Sequence, residues 1–382
     1  MIFVAPELND DELRVLAMIE ELRVKLRHQL HEPRRWVGSL RRVSLARAIQ
    51  GSNSIEGYEA GLDDAVDVAA GEDPLDANEE TGLALRGYRD AMTYVLQIAA
   101  EDDFVYSGQL LKSLHFMMTS YALANRPGRW RAGGSYVRND ETGEVVHEGP
   151  SVDEVPGLIS ALVEELNTPR GDEDRIIKAG MAHLNLVMIH PFRDGNGRMS
   201  RCLQSLVLAR DGLLGPVFMS IEEYLGRNTQ SYYDVLAQVG GGSWCPERDA
   251  RPWVRFTLTA HLRQARTVLR RIHESDRIWS ELEELVSHKR LPERTIFALF
   301  DTTTGLRVRN ATYRSYFEDT SDAITEATAS RDLRQLVEAD LLEPRGEKRG
   351  RSYIARPRLQ EIRKLVIGSR DERDDTDPFL VP

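Results

Sequence analysis

His190, Asp194, Gly195, Gly197, Arg198 and Arg201 stand in one run, His190-Pro191-Phe192-Arg193-Asp194-Gly195-Asn196-Gly197-Arg198-Met199-Ser200-Arg201. Glycines let backbone N–H groups approach a ligand with no Cβ in the way. A helix start beside them adds unpaired N–H donors and positive dipole potential, which together make an anion site. Arg198 and Arg201 supply cationic forks suited to phosphate oxygens. Asp194 can hold Mg²⁺, an ion that takes one or two carboxylates together with substrate phosphates. His190 sits at the rim, where a neutral imidazole can take a proton from a hydroxyl. Base, carboxylate and anion cradle point to nucleotidyl or phosphoryl transfer. A plain helix junction needs none of them.

Helices must hold this run. One ends near His190, because Pro191 disfavours helix at the residue before it. The next begins near Arg198, with Leu203, Leu206 and Val207 on its buried side. Upstream stripes come from Leu158, Leu162 and Leu166, and from Ile177, Leu184, Val187 and Met188. Between residues 127 and 156, Ser135–Arg138 and Glu144–His147 flank Asn139-Asp140-Glu141-Thr142-Gly143 and read as a β-hairpin. Near the N-terminus, Asn9 is an N-cap, Asp10-Asp11-Glu12 fills the first turn, and the helix continues through Leu13, Val15, Leu16, Ile19 and Leu22. A second helical stretch carries Leu40 and Leu45 and leads into Gly51-Ser52-Asn53-Ser54-Ile55-Glu56-Gly57. Gly71–Glu80 reads as an acidic loop, and Gly87–Ile98 as a helix. Beyond residue 265, Arg266, Arg270, Arg271 and Lys289 lie on a connecting helix. Thr328–Val337 is helical, with Ala329, Leu333, Leu336 and Val337 on one face, and Pro344–Ile354 is a basic hairpin. The Asp-rich last residues read as a mobile tail.

Composition bounds the rest. At about 150 residues per domain, 382 residues predict two or three domains. Hydrophobic residues at 41% and charged residues at 29% exclude a wholly disordered chain. No apolar run approaches the roughly 18 residues of a membrane span, so no membrane partner is expected. Met1–Pro6 has no basic region and does not read as a secretory signal. Two cysteines, Cys202 and Cys245, exclude a disulfide scaffold and point to the cytoplasm. A net charge of -11 disfavours a non-specific nucleic-acid coat but leaves room for a locally basic module.

The run resembles the signature of the Fic family, H-P-F-x-[D/E]-G-N-G-R-x-x-R, at every constrained position. The resemblance covers about residues 105 to 262: Pro127-Gly128-Arg129-Trp130-Arg131 and the hairpin resemble the family's substrate-docking flap, and Ser231–Leu236 its stretch beside the adenine. It implies transfer of AMP from ATP to a Ser, Thr or Tyr hydroxyl of a protein, with release of pyrophosphate. On this resemblance His190 is the base, and Asp194 binds the Mg²⁺ that bridges the α- and β-phosphates. Gly195, Asn196 and Gly197 form the cradle, and Arg198 and Arg201 hold the outer phosphates, Arg201 the γ-phosphate. Tyr136 and Val137 align the target by strand addition, Tyr232 lines the adenine pocket, and Phe192 anchors the loop. A branch that phosphorylates its targets has Lys where this chain has Gly197, so AMP transfer is favoured over kinase chemistry.

Ser52-Asn53-Ser54-Ile55-Glu56-Gly57 matches a second pattern of the family, [S/T]-x-x-x-E-[G/N]. The resemblance implies that Glu56 is inhibitory: its carboxylate pairs with Arg201, takes the γ-phosphate's place and misplaces the α-phosphate. The C-terminal segment resembles a winged helix, with Thr328–Asp340 as recognition helix and Arg345–Tyr353 as wing. Arg331, Arg334, Arg345, Lys348, Arg349 and Arg351 could touch DNA phosphates, diluted by Asp332, Glu338, Glu343 and Glu347. His183, His147 and Cys202 are expected to be structural.

The expected fold is mostly α: a Fic-type helical core with a short β-hairpin flap, plus a C-terminal winged helix-turn-helix domain. The expected divisions are an N-terminal helical region at 1–104 with its inhibitory helix near 45–57, a core at 105–262, a connecting helix at 263–290, a winged helix at 291–367 and an acidic tail at 368–382. The expected function is a protein adenylyltransferase using ATP and Mg²⁺, autoinhibited by Glu56. Its expected partners are a protein substrate and the chain itself, with DNA and a homodimer as further candidates. The alternatives are a de-AMPylating enzyme and a nucleotide-sensing DNA-binding regulator.

Overall fold

Asn9 starts the first helix as its sequence predicts. Its side chain accepts from the N–H groups of Asp11 and Glu12, and Glu12 reaches back to the Asn9 N–H, a capping box. The computed structural model describes residues 1–138, 145–169, 174–210, 218, 220–318, 323–347, 350–370 and 374–380, without the side chain of Arg138. The expected hairpin turn Asn139–Gly143, the expected strand residue Glu144 and the wing residues Lys348 and Arg349 lie outside the described residues.

The first half runs α1 (Asp10–His31), α2 (Val37–Ser54), α3 (Leu62–Ala69), α4 (Glu79–Ile98), α5 (Gly108–Thr119), β1 (Tyr136–Arg138), β2 (Val145–Glu148), α6 (Val155–Asn167), α7 (Arg175–Ile189) and α8 (Asn196–Ala209). The second runs α9 (Glu222–Arg227), α10 (Thr229–Gly240), β3 (Gly242–Ser243), α11 (Arg251–Lys289), α12 (Ile296–Thr303), β4 (Val308–Arg309), α13 (Asn310–Ser315), α14 (Glu326–Glu338), β5 (Leu342–Arg345), β6 (Ser352–Ala355) and α15 (Pro357–Gly368). The mostly helical expectation holds. Among the described residues, no helix is long and apolar enough to cross a membrane.

α7 and α8 form the centre, both buried along most of their length, and Trp253 of α11 packs against α7 by donating its Nε1–H to the Gly180 carbonyl at 2.8 Å. The expected connecting helix at 263–290 is the later part of α11, which begins at Arg251 inside the expected core region. Its early residues Arg251 and Arg255 fork the fully buried Glu12 carboxylate, which ties α1 to α11. Burial works to raise the Glu12 carboxyl, but the Asn9 N–H and the two guanidinium groups hold it below its ordinary range.

β1 pairs antiparallel with β2, in register Tyr136 with Glu148 and Val137 with His147. β2 also pairs in parallel with β3, which the sequence did not announce, so β1 is left as a sheet edge. The C-terminal unit places β4, β6 and β5 in one antiparallel sheet against α12, α14 and α15. Ala329, Leu333 and Leu336 of α14 are buried there, while Arg331 and Arg334 are exposed. Asp332 was expected to dilute that exposed patch. It is instead fully buried, accepting from Arg294 at 2.6 and 2.8 Å and from the Tyr313 hydroxyl at 3.1 Å. The tail is not free of the fold: Asp374 pairs with Arg266 at 2.6 Å, the Asp375 carbonyl accepts from Arg263, and Phe379 lies under Arg255.

Burial holds five imidazoles neutral: His115 and His190 are pushed down to about 4, His183 and His261 to about 3, and His147 is also lowered. Below the ordinary value of 6.5 the unfolded chain takes up these protons and the folded chain does not. Stability from this source is complete above about pH 6.5 and is lost as pH falls toward the folded values, at up to about 1.4 kcal/mol per imidazole per pH unit. The midpoint of thermal unfolding should therefore drop between pH 7 and 5. A midpoint that is level or rises over that range, by calorimetry, would contradict the burial.

Candidate active site

The run His190–Arg201 forms the join between α7 and α8 and the first turns of α8. α7 stops because His190 takes a left-handed conformation, φ 50° and ψ 57°, and Pro191 follows. A non-glycine residue in that region stores strain, which the surrounding fold must hold. Gly195, at φ 77°, turns the chain into α8, which starts at Asn196, two residues before the expected Arg198. A Cβ on Gly195 would meet Thr119 at 3.0 Å, so glycine answers both the turn and the close approach. Asn196 closes the loop on itself, accepting from the Phe192 N–H at 2.9 Å and donating to the Phe192 carbonyl at 3.0 Å. Phe192 is fully buried as expected and stacks on His115 at 3.8 Å.

His190 is half-buried, with Nδ1 3.2 Å from the Val187 carbonyl. A carbonyl only accepts, so Nδ1 carries the proton and Nε2 keeps a lone pair. The site therefore holds a neutral imidazole with a free basic nitrogen at neutral pH. Asp194 accepts from the Gly195 N–H at 2.7 Å and from Asn125 Nδ2 at 2.9 Å. His115 donates from Nε2 to the Asp194 carbonyl at 2.9 Å, because its Nδ1 accepts from the Gly128 N–H at 2.8 Å. Neither His115 nor Asn125 belongs to any motif, and nothing in their spacing marks them.

Both cradle arginines are buried to 1% exposure. Arg201 donates from Nε to the Ser52 hydroxyl at 2.8 Å and from Nη2 to the Ser52 carbonyl at 2.9 Å and Glu56 Oε1 at 2.6 Å. Burial works against its charge, and the Glu56 carboxylate more than offsets this, leaving the guanidinium above its ordinary range. Arg198 donates to the Tyr121 hydroxyl at 3.0 Å, and its guanidinium lies 5.0 Å from the centre of the Tyr58 ring. Arg201 Nη1 and Arg198 Nε have no hydrogen-bond partner among the described residues, although both are buried. A Cβ on Gly197 would overlap the Glu56 carboxylate and stand 3.1 Å from Arg201 Nη1. Tyr58 and Tyr121 were missed in the sequence; Tyr58 stands beside Gly57, whose φ of 82° turns it toward Arg198.

The unpartnered donors and the glycine-lined space fit an anion, and one carboxylate beside them fits a magnesium ion that takes its other ligands from phosphates. Among the described residues there is no cluster of three or more His, Cys, Asp or Glu able to cage a metal alone.

Tyr232 is not on an open face. It is 1% exposed, and its hydroxyl bonds to His183 Nε2 at 2.9 Å, while His183 Nδ1 bonds to Gln204 at 2.6 Å. The expected adenine-lining residue thus belongs to a buried polar chain, because that chain satisfies its hydroxyl in the core. The neighbouring Tyr233 is the exposed one and donates to the Ile55 carbonyl at 3.0 Å. Tyr136 is exposed and Val137 half-buried on the edge strand. His147 and Cys202 are buried, the former bonded to the Met188 carbonyl at 3.0 Å.

Residues 106–208 match the model of the Fic/DOC family. The chain is 36% identical over 129 residues to the protein adenylyltransferase Fic of Aedes aegypti, covering 32% of this chain and 22% of that protein. It is 26% identical over 214 residues to the protein of the same name from Nematostella vectensis, covering 55% and 44%. The matches thus span less than half the length of these relatives. A Fic family protein from Desulfovibrio desulfuricans superposes with a TM-score of 0.57 at 22% identity, covering 93% of this chain and 99% of that one. A Fic domain containing signaling protein from Bacteroides thetaiotaomicron does so with 0.54 at 19%, covering 69% and 97%.

Proposed function

Since residues 106–208 match the model of the Fic/DOC family, we propose that this chain is a protein adenylyltransferase, moving AMP from ATP to a protein hydroxyl. The observation that carries it is the pair of buried, incompletely satisfied guanidinium groups beside a neutral histidine with a free Nε2. His190 Nε2 takes the proton of the accepting Ser, Thr or Tyr hydroxyl. The hydroxyl oxygen forms a bond to the α-phosphorus, and the bond to pyrophosphate breaks. Arg198 and Arg201 hold the outer phosphates, and the N–H groups of Asn196 and Gly197 face the α-phosphate, where charge builds in the transition state, while Gly195 shapes the turn that presents them. Asp194 would hold Mg²⁺, which when bound neutralises charge on the phosphates. The unpaired edge of β1, with Tyr136 and Val137, receives the target as an added strand.

In this reading the described state is inhibited. Ser52 and Glu56 occupy three donor contacts of Arg201, so the γ-phosphate must displace a carboxylate to reach it. The same proposal places the protein in the cytoplasm and reads residues 291–367 as a winged helix, supported by the helices and the three-stranded sheet there.

Label should pass to protein from α-³²P-ATP and not from γ-³²P-ATP. Gly197 adds no side chain to the space that the Glu56 carboxylate fills, so once Glu56 is displaced the cradle takes the β- and γ-phosphates, with the α-phosphate toward His190. Appearance of the γ label on protein would reverse the nucleotide and replace this reading by kinase chemistry.

A further inference from the structure

A cavity of about 280 Å³ opens between the base of the flap and the catalytic loop. Four arginines line it, Arg126, Arg129, Arg131 and Arg193, with Trp130 and Phe192 as its aromatic wall. Among the described residues no Asp or Glu lines it, in a chain whose net charge is -11. The flap positions 132–135 that complete the wall are small: alanine, two glycines and serine.

The arginines divide into two kinds. Arg131 is buried and donates to the carbonyls of His190, Gly133 and Pro150, while its own N–H bonds to the Pro191 carbonyl at 2.8 Å. It ties the cavity's floor to the residue that carries the base, and carbonyls leave its charge uncompensated. Arg193 lies in the catalytic run itself, is exposed, and donates to the Ala124 carbonyl at 3.1 Å. Arg126 and Arg129 are exposed and form no ion pair among the described residues. Other exposed arginines of this chain do meet a carboxylate, as Arg35 does on Glu293 and Arg345 on Glu343. Four like charges around one concavity repel one another, so the arrangement costs free energy until an anion enters.

We infer that this cavity reads the protein substrate, and that it takes an aspartate or glutamate side chain close in sequence to the accepting hydroxyl. The inference rests on the adenylyltransferase reading for its meaning, because only that reading places a polypeptide along β1. The cavity touches both the start of that strand and the loop that carries His190, so a strand added to β1 brings its neighbouring residues past it. The target is therefore an acidic segment. A phosphorylated side chain offers the same charge, and the test separates the two.

The probes are three fluorescein-labelled peptides of one length, each with a central tyrosine. One is flanked by glutamates, one by phosphoserines and one by lysines. Binding to the full chain is followed by anisotropy at low and high salt. The glutamate peptide should bind, the lysine peptide should not, and the affinity should fall as salt is raised. Arg126→Asn with Arg129→Gln should weaken glutamate binding by about fivefold, the combined scale of two exposed charge contacts. Asparagine is chosen at 126 because the backbone there is left-handed, at φ 55°. Arg27→Gln with Arg41→Gln, exposed arginines on α1 and α2, removes the same charge elsewhere and should leave binding unchanged. Equal loss in both double variants, or equal binding of the lysine peptide, overturns the inference. Binding of the phosphoserine peptide alone replaces it with a phosphorylated target. These readings need no catalysis, so failure of Glu56→Gly to transfer label sinks the enzymatic proposal separately. Where transfer occurs, the Arg126/Arg129 change should raise KM for the glutamate peptide and leave kcat unchanged.

Discussion

His190→Ala lowers AMP transfer by about 10²–10⁴-fold, the range typical of a lost general base. ATP binding stays close to that of the parent chain, because the groups proposed to face phosphate are Arg198, Arg201 and the backbone of the glycine turn, and none of them leans on the imidazole. The expectation rests on one hydrogen bond. Nδ1 is committed to the Val187 carbonyl, so the lone pair is on Nε2, and burial keeps the ring neutral by pushing it down to about 4. A base works while it is neutral and fails as pH falls through its folded value. The acidic limb of the rate should therefore lie well below the ordinary imidazole value of 6.5. His190→Ala and His190→Asn, each with nucleotide affinity by calorimetry and transfer from α-³²P-ATP, decide the matter. A folded alanine variant that transfers at near the parent rate removes His190 from the mechanism.

Glu56→Gly raises transfer, self-modification included, by up to about 10²-fold, the scale of a misplacement on the order of 1 Å at the reacting atom. The reason is the 2.6 Å contact with Arg201 Nη2, which a γ-phosphate must otherwise break. Arg201→Ala should lower transfer both with and without Glu56, and the double variant should behave like Arg201→Ala. The two effects cannot be additive if one residue acts through the other. Ser52 sharpens the test. It accepts from the same guanidinium at 2.8 and 2.9 Å, so removing Glu56 leaves Arg201 aimed into the cradle and not loose. Transfer rates of all four proteins at saturating Mg²⁺-ATP, with thermal unfolding as the folding control, give the answer. Equal activation by Glu56→Gly without Arg201 breaks the proposed pair. No activation at all leaves the turn after α2 as structure only.

Much of the site was legible because its chemistry is local. Pro191 and the two glycines punctuate the chain within a few residues of the base they position, so the turn and the residue types are written together. Asn9 and Glu12 were legible for the same reason, since a capping box is closed within one helical turn. Asp332 was misplaced by the same kind of reading. Its helical spacing put it near the exposed arginines of α14, and only the approach of Arg294 and Tyr313 from other elements explains why a carboxylate is buried there. The burial of Tyr232 was not legible for want of its partner. A tyrosine beside a tyrosine does not say which of the two turns inward, and His183 on α7 settles it.

By itself, then, the sequence determined which residues stand together at positions 190–201, the helix break that presents them, and the glutamate-bearing turn after α2. Each is encoded in residues a few positions apart, where backbone preference and side-chain chemistry act together. The tertiary structure alone decided that Arg201 meets Ser52 and Glu56 across 149 and 145 residues of chain, that His115 props the Asp194 carbonyl from 79 residues away, and that four arginines share one cavity with no carboxylate among the described residues. Contacts of that kind depend on how helices pack, and a hydrogen bond between distant residues leaves no period or spacing in the chain to announce it.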